Sequence, residues 1–142
     1  MIHDRFWWTL MSIGVITVMS GIAQCVVPDF LLQALSPELT STSRHFLLVT
    51  GVLTGSFGAL LIHALRTSDW QHVALLWIGI QKILAAGAVG IAIRAKMFST
   101  LALLAAGFDL VAGVMITAFW FWIRQQARAP DRIREPLASS ER

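Results

Sequence analysis

Charge is scarce in this chain. Of its 142 residues, 13% are Asp, Glu, Lys or Arg and 56% are hydrophobic. A soluble domain carries about 25% charged residues, so the composition argues against an ordinary water-soluble fold. Cysteine is scarcer still. The single Cys25 excludes an internal disulfide, a Cys-x-x-Cys redox centre and a cysteine-rich metal site. Also missing are a serine nucleophile motif, a phosphate-binding loop, a catalytic carboxylate pair and an internal repeat. An enzymatic reading therefore has nothing local to stand on, and the sequence leaves the question of enzyme activity open while leaning against it. The formal charge of +3 does not point to nucleic acid, because the basic residues do not interleave with aromatics on a polar face. They crowd the ends of long apolar runs, where membrane topology uses them.

Those runs number four, and the mean hydropathy is +0.70. The spacing predicts spans over 6–27, 44–65, 70–93 and 100–123, each long enough to cross a bilayer at about 1.5 Å per residue. Residues 1–123 form one transmembrane domain in this reading, and 124–142 form a polar cytoplasmic tail with Pro130 and Pro136. The first run is too long for a signal-peptide core and shows no small-x-small cleavage site. Gln24, not a small residue, precedes Cys25, which argues against a lipoprotein anchor. Pro28-Asp29 ends the first span, and Phe30 to Leu35 is too short to cross. It reads as a short interfacial helix or turn. The Ser/Thr cluster ending at Ser43 can cap the next helix. Trp7-Trp8 and Phe119-Trp120-Phe121-Trp122 read as interfacial aromatic belts.

Four crossings place both termini and the 66–69 turn on one side. That side carries Arg5, Arg66, Arg124, Arg128, Arg132, Arg134 and Arg142, against Arg44, Arg94 and Lys96 on the other. The positive-inside rule puts the first set in the cytoplasm. The fold expected is all-α: an antiparallel up-down four-helix transmembrane bundle in a bacterial inner membrane, with both termini cytoplasmic.

Two charges stand within the apolar runs. Lys82 lies about 14 residues before Lys96 and Asp109 about 13 after it, so a helical hairpin brings them to similar depth. A charge at the bilayer centre costs about 2.5–3.5 kcal/mol on insertion scales, which makes the two natural partners. Lys82 shares a helix face with Gly79, Ala85, Ala86 and Val89. Asp109 shares one with Ala102, Ala105, Ala106, Ala112 and Gly113. Small residues favour close helix packing in lipid. The pair is either a substrate, ion or proton site, or a neutralised lock that fixes helix register.

Other candidates for binding are Gln81, pointing about 100° away from Lys82, the stripe Thr17, Ser20 and Gln24, and Thr50 and Thr54 beside Gly51-x-x-x-Gly55. That glycine motif serves either packing inside the bundle or a dimer face. His63 and His72 flank the 66–69 turn at similar depth. Helices of one hairpin pack about 8–10 Å apart, which leaves little room for a haem between them, so no metal is assigned.

Pro28, Leu35-Ser36-Pro37-Glu38, Arg44 and the glycine-rich run through Phe57-Gly58-Ala59 resemble a pattern in small bacterial membrane proteins of the DoxX-like group, including DUF4345-type proteins. The likeness spans roughly 6–123 and implies a four-helix membrane architecture, with Asp109 at an acidic position of the last helix. It implies no settled activity and gives no match for Lys82.

Three functions fit these observations. The chain is an accessory or binding subunit of a larger membrane complex. Alternatively it is a small homo-oligomeric transporter using Lys82 and Asp109. A quinone- or haem-linked redox subunit is the third, for which the sequence displays no cofactor site. Membrane lipid, a second copy or a partner membrane protein are the expected contacts.

Overall fold

A computed structural model describes residues 2–35, 40–67 and 71–128. Within them the chain is helical in five pieces: α1 (Ile2–Val26), α2 (Pro28–Leu35), α3 (Ser41–Arg66), α4 (Gln71–Arg94) and α5 (Ala102–Arg128). Four of them are long and apolar enough to cross a membrane, which is the mark of a multi-pass membrane protein. Their large apolar side chains face outward. Leu104 is 76% exposed, Ile91 71% and Phe46 66%, the reverse of a soluble core.

Pro28 separates α1 from α2. It has no N–H to continue the α1 ladder, and it suits the first position of α2. Thr40 caps α3: its hydroxyl accepts from the Ser43 N–H at 3.0 Å, and the Thr40 N–H donates to Ser43 Oγ at 2.9 Å. The link after α4 closes with Lys96 in the left-handed region, φ 58°. There the Lys96 N–H donates to Ile93 and the Met97 N–H to Ala92, the paired bonds of a Schellman stop. The last helix runs past Ile123 to Arg128, so 124–128 extend α5 where the sequence suggested tail. Residues 36–39 and 129–142, which include Ser36-Pro37-Glu38 and the rest of the expected tail, lie outside the described residues.

The four long helices associate as two pairs. Helix α1 packs chiefly on α3 and α4 on α5, and the pairs touch each other much less. In the first pair the backbones nearly meet. A Cβ on Gly21 would lie 2.6 Å from the Gly51 carbonyl oxygen, and one on Gly58 would lie 2.7 Å from the Val18 nitrogen. Gly51-x-x-x-Gly55 is thereby used inside the bundle, against α1.

The pairs join through a core at one end. Leu10, Met11 and Ile13 of α1 meet Leu61 and Leu65 of α3, Leu75 and Ile78 of α4, and Ile116, Phe119 and Trp120 of α5. This corrects the belt reading of the last aromatic run. Phe119 is 2% exposed and Trp120 8%, while Phe121 and Trp122 are outward. At 3.6 residues per turn, 112, 116 and 119/120 fall on one face, which points inward. Trp7 is likewise half-buried, with Nε1 donating to the Leu65 carbonyl at 3.1 Å. That carbonyl is among the last of α3 and has no partner within its own helix. Trp8 stays exposed.

Away from the core the pairs are joined by Ser99. Its N–H donates to the Leu35 carbonyl at 2.8 Å and its hydroxyl to the Ala34 carbonyl at 2.8 Å. It thereby satisfies two of the orphan carbonyls at the end of α2. On the same side Asp29 and Arg44 form an exposed ion pair at 3.3 Å between α2 and α3.

Candidate functional site

Helices α4 and α5 meet through glycine. Gly79 and Gly113 face each other, and a Cβ on Gly113 would sit 3.1 Å from the Gly79 carbonyl oxygen. Thr117 back-bonds to the Gly113 carbonyl at 2.8 Å, and its hydroxyl occupies the space beside Gly79. Ala86, Ala102, Ala106 and Ala112 are buried around this seam. Ala105, expected on the same face, points outward, because it falls about 100° from Ala106 on the helical wheel.

Between those close-packed backbones Lys82 Nζ reaches the Asp109 carboxylate at 2.5 Å. The burial is lopsided: the Lys82 side chain is 4% exposed and that of Asp109 25%. Lys82 Nζ also lies 5.3 Å from the centre of the Phe108 ring, a cation–π contact that the sequence reading missed. Its signal was present, since Phe108 adjoins Asp109, but an aromatic in an apolar run is unremarkable by itself. The pair unites opposite charges, so α4 and α5 carry no net charge at this level.

The remaining candidates do not converge on it as one polar chamber. Thr17 is buried, but its hydroxyl donates to the Ile13 carbonyl at 2.8 Å in its own helix. Ser20 is exposed and accepts from Gln24 Nε2 at 3.4 Å, while Gln24 Oε1 is buried without a hydrogen-bond partner. Thr50 is exposed and Thr54 half-buried. His63 is exposed, whereas His72 is half-buried with Nδ1 unpartnered. Among the described residues no three His, Cys, Asp or Glu side chains gather as a metal site.

Gln81 has a different setting. It lines a groove of about 620 Å³ that runs along α4 past Trp77, Ile80, Leu84, Ala85 and Ala88, with Phe57 of α3 opposite. Its Oε1 is buried and has no hydrogen-bond partner. A second, more open hollow of about 440 Å³ lies by the α4–α5 link, among Gln33, Lys96, Ser99 and their neighbours.

Comparisons with family models, with curated proteins and with solved structures find no match to this chain. The likeness to the DoxX-like group therefore rests on the short motifs alone.

Proposed function

We propose that this chain is an accessory or binding subunit of a larger complex in the bacterial inner membrane, an antiparallel up-down bundle with both termini cytoplasmic. The observation that carries the reading is the contrast between the closed α4–α5 seam and the open flank of α4. The Lys82 charge is spent inside the α4–α5 seam, paired with Asp109 and laid against Phe108. On the same helix an apolar groove lies open, with the Gln81 Oε1 oxygen enclosed in its wall. Charges matched inside the seam and an open, apolar groove along the flank of α4 suit docking better than turnover. The arginine bias towards one set of loops supports the orientation. Native mass analysis of the gently extracted, tagged protein tests the proposal. An unrelated membrane protein in fixed stoichiometry is the expected result, and a preparation containing this chain alone would overturn it.

One observation favours a second reading, a cation- or proton-coupled carrier. The Asp109 side chain is 25% exposed against 4% for Lys82, which makes the carboxylate the less enclosed member of the pair and the one a cation would meet. Reconstituted vesicles would then show a pH-dependent flux that Asp109→Asn abolishes and Asp109→Glu preserves. Equal flux in the Asn variant, with the protein still folded, would end that reading.

A further inference from the structure

From the hollow at the α4–α5 link we infer that this chain holds the phosphodiester of an anionic phospholipid there, with Lys96 as its charged contact. The inference stands apart from the docking reading, which concerns the flank of α4. Two membrane spans end beside this hollow: one is Gln71–Arg94 and the next begins at Ala102. Lys96 to Thr100 therefore lie just outside the apolar layer, at the depth of lipid headgroups. The hollow, of about 440 Å³, has two kinds of wall. Ile93, Phe98 and Ala34 supply an apolar side, and Lys96, Gln33 and Thr100 a polar one. The Ser99 hydroxyl is already committed to the Ala34 carbonyl.

Charge selects the ligand. Among the described residues Lys96 has no ion-pair partner and no carboxylate lines the hollow. Asp29, on the same side of the molecule, is engaged by Arg44. A lysine ammonium at headgroup depth attracts anionic lipid. Gln33 and Thr100 add amide and hydroxyl donors that phosphate oxygens accept. The positive end of the α5 dipole, at Ala102, lies beside them. Ile93 and Phe98 offer an apolar wall to the first methylenes of an acyl chain, for which a free phosphate has no use. The backbone agrees. Among the described residues Lys96 alone of the non-glycines has a positive φ, 58°, and such positions cluster at ligand clamps.

The test is native mass analysis of the full chain, purified in mild detergent, freed of lipid and titrated with phosphatidylglycerol. Phosphatidylcholine with the same acyl chains is the comparison. Retention of one phosphatidylglycerol in preference to phosphatidylcholine is expected. Lys96→Gln should weaken that retention about fivefold, the scale of one lysine near an anionic lipid surface, and Lys96→Arg should keep most of it. Arg94→Gln is the control, because Arg94 is exposed but does not line the hollow, and it should change little. Ala34→Phe fills the hollow without altering charge and should also weaken retention. Equal losses in Lys96→Gln and Arg94→Gln would leave only a generally basic end and overturn the site. Equal retention of the two lipids, or of neither, overturns it as well. Displacement of the lipid by inorganic phosphate at equal concentration would assign the hollow to a free anion and overturn the lipid. Should Lys96→Gln lose its fold, Ala34→Phe decides alone, and undiminished retention there overturns the site.

Discussion

Gly79 and Gly113 face each other so closely that a Cβ on the second would lie 3.1 Å from the carbonyl oxygen of the first. They sit about one turn from Lys82 and Asp109 on their respective helices, and their approach is what lets a lysine and an aspartate meet inside the seam. Gly113→Ala should force α4 and α5 apart, since its methyl would also press within 2.7 Å of Ile83 Cγ1. The cost expected is about 1–3 kcal/mol, as for other overpacked sites. Thermal unfolding in mild detergent would show it, and an unchanged midpoint would mean the seam accommodates the methyl.

The ion pair itself should behave as a unit. Asp109→Asn leaves the Lys82 charge buried and should destabilise by about 3–5 kcal/mol. Adding Lys82→Met removes that charge and should restore much of the loss. The readout is a double-mutant cycle of unfolding free energies. A double variant no more stable than Asp109→Asn alone would show that the two side chains are not coupled.

Glycines of one type should divide sharply by position. Gly21→Ala would drive a methyl to 2.6 Å from the Gly51 carbonyl, whereas a Cβ on Gly87 meets nothing within 4 Å. The first should separate α1 from α3 and lower stability by more than about 1 kcal/mol. The second should be neutral or gain up to about 1 kcal/mol from helix propensity. Equal effects in the two variants would contradict the packing described.

Trp7→Phe keeps an aromatic side chain but removes the donor to the Leu65 carbonyl. The loss of one hydrogen bond at a partly buried site should cost about 1 kcal/mol. Trp8→Phe, at an exposed neighbour, is the matched control. Similar melting shifts for both would reduce Trp7 to a belt residue.

Lys96 occupies the left-handed position that ends α4, where glycine is the usual occupant. Left-handed backbone costs an L-residue roughly 1–2 kcal/mol, part of which glycine returns as lost chain entropy. Lys96→Gly should therefore raise stability by up to about 1 kcal/mol, measured against Lys96→Ala, which keeps the strain.

The sequence made some of this legible and hid the rest for definable reasons. Four spans can be read directly, because twenty-odd apolar residues in a row have few other destinations. Lys82 and Asp109 could be matched because charge in lipid is rare and the link between their helices is short. Which helices pair is different information. That α1 sits on α3 depends on Gly21 finding Gly51, and glycine spacing alone allows an outward dimer face equally well. Phe119 and Trp120 turn inward because the core at that end lies on their side of α5, a tertiary fact invisible to an aromatic count. Ser99 reaches residues 64 and 65 positions away, too far for any local pattern to announce. The unpaired oxygen of Gln81 emerges only when every neighbour has been placed.

The two ends of the molecule are fastened differently. One end is a joint of interlocked aromatic and aliphatic side chains from all four long helices. At the other, among the described residues, Ser99 ties the end of α2 to the α4–α5 link with two hydrogen bonds. One end is thus joined by side-chain packing and the other by backbone carbonyls that a serine satisfies. Those two hydrogen bonds therefore set the spacing of α2 and the α4–α5 link at that end.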